Sequence, residues 1–199
     1  MSSGFTLIEL MMALVVSAVL MALGMPYLRD FFLNQQRAGA INEMVTAMQM
    51  ARGEAYKRGQ TVIICPCTAA NCVASPPACS TTATDWGKGW IIYANINGDT
   101  TGTEPDISSP AAATDDVVVR VSTNDYGAIS IGSSGTSTTP AAFFQFQPFG
   151  VASTTGTLTF CDSRGASNSA ERRAILIVSG TGRPQVSKVA ADGSALTCP

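Results

Sequence analysis

Residues 4–28 read "GFTLIELMMALVVSAVLMALGMPYL", and the way Glu9 is accommodated inside this run decides the fold. From Leu10 to Leu28, nineteen uncharged, mostly apolar residues follow one another. That is about the length that crosses the ~30 Å hydrocarbon core of a bilayer as one helix. An ionised carboxylate there costs roughly 2.5–3.5 kcal/mol on insertion scales unless it is paired, so Glu9 asks for a partner. The run is too long for the apolar region of a secretory signal, and it flows into an amphipathic continuation instead of a small-residue cleavage site. It reads as a retained anchor with a single transmembrane segment.

Working outward, Pro26 removes a backbone donor and is expected to kink or loosen the helix. Beyond it, apolar residues recur at helical spacing: Leu28, Phe31, Phe32, Ile41, Met44, Val45, Met48, Ala51, Ala55 and Tyr56. Asn34, Gln35, Arg37, Asn42, Glu43, Gln49, Arg52 and Lys57 take much of the opposite face. "KRGQ" closes the segment, with bases in the last turn and Gly59 placed as a C′ glycine. One helix from about Phe5 to Arg58, roughly 80 Å at 1.5 Å per residue, is longer than a globular domain uses. Its outer half embeds in something, and its inner half packs on a head.

After Gly59 the period changes. "TVIIC", "WIIYAN", "VVVRVS", "AISIG", "AFFQFQ", "TLTFCD" and "AILIVS" are short β-rich runs separated by Gly, Ser, Thr, Pro and Asp. No second long amphipathic helix competes with them, so the class is α+β: one long N-terminal helix packed on an antiparallel β-sheet head. Residues 66–85 and 97–116 read as long loops, and residues 130–140 as a low-complexity segment. In "NINGDTTGTEPD" the alternation of Asn95, Asn97 and Asp99 resembles half of a calcium loop. Gly98 precedes Asp99, however, and no Glu stands at the required offset, so an Asn-Gly turn is the better reading.

The 199 residues leave room for one domain beyond the anchor, and only 13% of them are charged. Net charge is −2, but residues 161–199 carry five bases against three acids, so only the C-terminal end is basic. Histidine is absent, which removes the commonest general base and metal ligand. Neither G-x-S-x-G nor H-E-x-x-H occurs, and the chain is read as no enzyme, with no metal and no cofactor. Six cysteines, at 65, 67, 72, 79, 161 and 198, follow the anchor and point to an oxidising compartment and structural disulfides. The first four have spacing C-x-C-x4-C-x6-C, which is no standard zinc knuckle, and they allow three pairings. Cys161 with Cys198 is the natural bridge for the remaining two.

"GFTLIEL" resembles the processing motif of type IV prepilins and type II secretion pseudopilins. The resemblance implies a peptidase cut after Gly4, N-methylation of the new N-terminal Phe5, and pairing of Glu9 with the N-terminal amine of a neighbouring subunit during assembly. In the head, Gly89 and Trp90 leading into a strand, the "NGD" hairpin, "FQPFG" and "FCDSRG…RRAILIVSGTGRPQVS" resemble minor pilins of the FimT/FimU type and their secretion relative, the H pseudopilin. On this resemblance residues 1–4 are a leader, 5–28 the transmembrane or filament-core half of the helix, 29–58 its amphipathic half, and 59–199 a periplasmic β-rich head, together a type IV pilin fold. The implied function is that of a minor pilin, a structural subunit that helps assemble or prime a type IV pilus serving motility, adhesion or DNA uptake. Its partners are the other major and minor pilins of a helical filament, the prepilin peptidase and, before assembly, the inner membrane. It spans that membrane once, with the head in the periplasm, and later stands in a cell-surface pilus.

Two alternatives remain: an H-type pseudopilin of a type II secretion system, and a DNA-binding minor pilin acting in natural transformation. For the latter, Arg164, Arg172, Arg173, Arg183 and Lys188 are the candidate phosphate contacts. Some DNA-binding minor pilins end the head with Gly-Arg-x-Arg. Gly182 and Arg183 match its beginning, whereas Gln185 stands in place of the second Arg.

Overall fold

The structure, a computed structural model, describes residues 4, 6–80, 82, 85–96, 115–124, 126–134, 143–165, 171–177, 181–190 and 193–199. Phe5, the Asn-Gly turn at residues 97–98 and most of the low-complexity segment 130–140 lie outside the described residues. The chain divides into two compact units, residues 1–36 and 37–199.

Helix α1 spans Leu7–Arg58 and runs through Pro26 without a break in its assignment. In the first unit its apolar side chains face outward, Leu33 excepted, and an 18-residue window with mean hydropathy 2.4 has no buried part. A helix that is apolar all round and has no core to enter is suited to a lipid or protein surround. Leu28, Phe31 and Phe32 belong to this exposed run.

In the second unit, α1 buries Arg37, Ala40, Ile41, Met44, Ala47, Met48, Ala51 and Ala55, the three-and-four spacing of one helical face. The sequence reading misplaced the edges of this face. Tyr56 is 74% exposed, and Arg37, assigned to the polar side, is 6% exposed. The helix stops as expected. Gly59 takes φ +64°, its N–H donates to the Ala55 carbonyl at 3.0 Å, and Glu54 pairs with Lys57 and Arg58.

Eight strands follow: β1 (Thr61–Pro66), β2 (Trp90–Asn95), β3 (Val117–Ser122), β4 (Ser130–Ser134), β5 (Phe144–Phe146), β6 (Gly156–Cys161), β7 (Arg173–Ile177) and β8 (Pro184–Ser187). They form two four-stranded antiparallel sheets, ordered β3-β2-β1-β5 and β4-β6-β7-β8. The sequence pattern gave seven of these runs and a single sheet. It missed β8, whose "PQVS" is short, opens on a proline and forms a sheet edge, where a residue without an N–H is tolerated. It also missed the one-turn helix α2 (Ala69–Cys72) inside the segment 66–85 read as loop, and the 3-10 turn Asp85–Gly87 that begins at its end.

The two central strands of the first sheet, β1 and β2, are buried on both faces. Val62, Ile64, Trp90, Ile92, Ala94, Phe144 and Phe146 share a core with the buried face of α1 and with Leu158, Phe160, Ile175 and Ile177 of the second sheet. Their chain neighbours Ile63, Cys65, Ile91 and Tyr93 point the other way, under a lid of Cys67, Cys72 and Cys79. Two covered faces explain why "TVIIC" and "WIIYAN" are continuously apolar instead of alternating. The lid approaches so closely that Gly89, at φ +150°, has no room for a side chain. A Cβ there would lie 2.5 Å from the Ser122 carbonyl oxygen and 2.6 Å from the Cys72 Sγ.

Candidate functional site

At the N-terminus, Glu9 is met within its own chain. The backbone N–H and the hydroxyl of Thr6 each donate to Glu9 Oε2 at 2.9 Å, and the Glu9 N–H donates to Thr6 Oγ1 at 3.4 Å. This is a capping box, with Thr6 at the N-cap and Glu9 at the third helical position, and it places a carboxylate at the positive end of the helix dipole. The T-x-x-E spacing in "FTLIEL" was its signal, which an intermolecular reading of Glu9 passed over. The box takes up only one carboxylate oxygen, so it is compatible with a second partner at Oε1. We expect Thr6→Val to cost the first turn about 1 kcal/mol. In detergent micelles, hydrogen exchange at the amides of Ile8 to Leu10 should then speed up roughly fivefold while the head keeps its melting temperature. Unchanged exchange would show that the box adds nothing.

At the start of the head unit, four charged side chains form a network. The Arg37 guanidinium bonds Asp162 Oδ2 and Glu171 Oε2, both at 3.1 Å, and donates to the Glu171 backbone carbonyl. Arg164 grips Asp162 from the other side, at 2.6 Å through Nη2 and 3.2 Å through Nε, and lies 3.6 Å from Glu171. The Asp162 side chain is fully buried. Burial opposes its ionisation, but the Arg164 hydrogen bonds and the charges of Arg164 and Arg37 outweigh it and hold the carboxyl below the usual range. Arg37 falls four residues before Ile41 and seven before Met44, so its place on the buried face was legible in the spacing. Its charge argued the other way.

The cysteines pair as Cys65–Cys79, Cys67–Cys72 and Cys161–Cys198, with Cα–Cα distances of 5.6, 5.3 and 5.8 Å. The first two choose one of the three pairings that the sequence left open, and the third is the expected bridge. No thiol remains for the zinc alternative. The two nested bridges lie in the lid over the first sheet. Beside the lid, Asp85 accepts from Ser80 and, at 2.7 Å, from Lys88. Burial again opposes ionisation, and the Lys88 and Ser80 bonds prevail, keeping Asp85 below the usual carboxylate range.

The five bases proposed for DNA are not gathered into one free patch. Arg164 is committed to Asp162 and Glu171. Arg172 donates through Nε to the Gly165 carbonyl at 2.7 Å and through Nη1 to the Leu196 carbonyl, pinning the C-terminal tail. Arg173 donates to the Arg172 carbonyl at 2.7 Å. Arg183 and Lys188 are exposed. Among the described residues no cluster of three His, Cys, Asp or Glu groups could hold a metal ion.

A capped apolar helix joined to a disulfide-stapled β-head has counterparts among known proteins. Residues 40–182 match the family of the type II transport protein GspH, and residues 1–25 match the prokaryotic N-terminal methylation motif. The chain belongs to the GspH family. As a member, it is a pilin-like protein of the minor pilin and pseudopilin group that serves type IV pili or type II secretion, with an apolar N-terminal anchor and a folded head. Two crystal structures of the type IV minor pilin FimU of Pseudomonas aeruginosa strain PAO1 are similar to this GspH-family chain at 19% identity. Their TM-scores are 0.45 and 0.48; they cover 78% and 82% of this chain and are themselves covered to 98%. No curated protein matches the chain.

Proposed function

We propose that the chain is a non-catalytic minor subunit of a type IV pilus, acting in filament assembly and priming. It is made as a precursor, cut after Gly4 by a prepilin peptidase and methylated on Phe5. Until assembly it is held by one span in the inner membrane, with its head in the periplasm, and it then moves into the filament with other pilins. The observation that carries this reading is the apolar half of α1, an 18-residue window of mean hydropathy 2.4 with no part buried, ahead of a head that folds on its own buried core. Such a surface needs lipid before assembly and protein after it. Glu9 supports the same order of events, because its second carboxylate oxygen is left for an incoming N-terminal amine.

Mass spectrometry of the native protein tests the proposal. The mature chain should lack "MSSG" and begin with a methylated Phe5, and Gly4→Val should leave all of the protein uncut and absent from sheared filaments. An intact Met1 on assembled protein would refute it.

A further inference from the structure

The cleft lined by Gln49, Arg52, Gly53, Tyr56, Phe149 and Gly150, of about 270 Å³, lies on the outward side of α1. Its walls are the two most exposed large apolar side chains among the described residues of the head unit, Phe149 at 83% and Tyr56 at 74%. An exposed phenylalanine on a turn would ordinarily be unremarked, but this turn is fastened from three sides. The Gly150 N–H donates to the Gln147 carbonyl at 2.7 Å, and the Gln147 N–H donates to the Val151 carbonyl at 2.8 Å. Arg52 on the helix donates through Nε to the Gly150 carbonyl at 2.8 Å. Behind it stands Gly182, at φ +60°, where a Cβ would lie 2.4 Å from the Gly150 oxygen. Phe149 is therefore presented rigidly to solvent, which lowers the ordering cost of binding.

We propose that Tyr56 and Phe149 form a socket for one apolar side chain, flanked by carboxylates, on the head of a neighbouring filament subunit. The inference rests on the filament reading above. Size supports it, since the cleft accommodates a side chain and not a helix, the geometry of an interface hot spot. Charge supports the flanking carboxylates: Arg52 lines the socket, and exposed Arg183 follows Gly182 directly in the chain. The last helical turn carries Lys57 and Arg58 against the single acid Glu54 that they share, a net positive rim. The helix stripe leading to it, Asn42, Thr46, Gln49 and Gly53, is exposed and free of long charged side chains, so another protein surface can approach. A nucleic acid would need a longer run of free cations than this, and Arg164 and Arg172 are engaged elsewhere.

The test uses the full chain in cells that assemble the filament. p-Benzoylphenylalanine placed at position 149 should, on irradiation, join to one other filament subunit, at a peptide carrying an apolar residue beside Asp or Glu. The same probe at exposed position 73 in the lid should not. Tyr56→Ala with Phe149→Ala should lower recovery of the chain in sheared filaments about tenfold or more while leaving the melting temperature of the head unchanged. Wild-type recovery of this double variant, with Glu9→Ala lost, overturns the socket and leaves the filament reading standing. Wild-type recovery of both variants overturns the filament reading as well. Cross-links from position 149 only to polysaccharide or nucleic acid also overturn the socket.

Discussion

Replacing Cys161 and Cys198 by serine should cost the head about 4 kcal/mol, the largest single loss expected from any of its three bridges. The residues are 37 apart in sequence, against 14 for Cys65–Cys79 and 5 for Cys67–Cys72. In the chain-entropy account, the longer the closed loop, the more freedom the cross-link removes from the unfolded chain; the two shorter bridges come to about 3 and 2 kcal/mol. The bridge also fastens the tail whose Leu196 carbonyl accepts from Arg172, and Leu196 is itself buried. Thermal unfolding of the purified head region within the full chain should show a midpoint roughly 8–16 °C lower for the double serine variant. Non-reducing peptide maps of the wild type should show Cys161 joined to Cys198. A larger loss on removing Cys67–Cys72 would contradict the loop-length account.

The second large effect is expected from Arg37→Met, which keeps much of the apolar stem and removes the guanidinium. It leaves Asp162 and Glu171 to Arg164 alone, and breaking one partner out of a buried ion pair costs about 3–5 kcal/mol. Arg164 still grips Asp162 at 2.6 Å, so the lower end applies, about 3 kcal/mol, or roughly 6–12 °C in melting temperature. The effect has a pH signature. Asp162 titrates below its ordinary range in the folded head, opposed by burial and favoured by Arg164 and Arg37. A depressed folded pKa contributes stability above the unfolded value of about 3.9 and loses it as pH falls through the folded value. The difference between wild type and Arg37→Met should therefore be fully present near pH 7 and shrink only as pH falls below the ordinary carboxylate range toward the depressed folded value, where Asp162 becomes neutral. A difference that stays flat through acid titration until the head itself unfolds would show that Arg37 acts through packing alone.

These two predictions rest on contacts of unequal legibility. The bridge from Cys161 to Cys198 followed from the sequence once the other four cysteines were grouped by their closeness in the chain. The Arg37 network did not, because nothing local marks Asp162 or Glu171 as its partners 125 and 134 residues away. Long-range pairing of charges is set by which elements the fold brings together, and charge read along a helix points first to solvent.

What the sequence determined by itself is what local chemistry controls. The apolar run marked the anchor, and Gly4, Phe5 and Glu9 in register carried the resemblance to the N-terminal methylation motif. The helical period and Gly59 set the length of α1, and seven β-rich runs announced an antiparallel head. The tertiary structure decided the rest: the division of the strands into two sheets, the partners of Cys65, Cys67, Cys72 and Cys79, the burial of Arg37, and the position of Phe149 on a fastened turn. The reason is physical. A helix period or an apolar run is imposed by the backbone within a few residues, whereas sheet membership, the choice among competing disulfide pairings and buried charge depend on surfaces that meet only as the chain closes, over 5 to 134 residues.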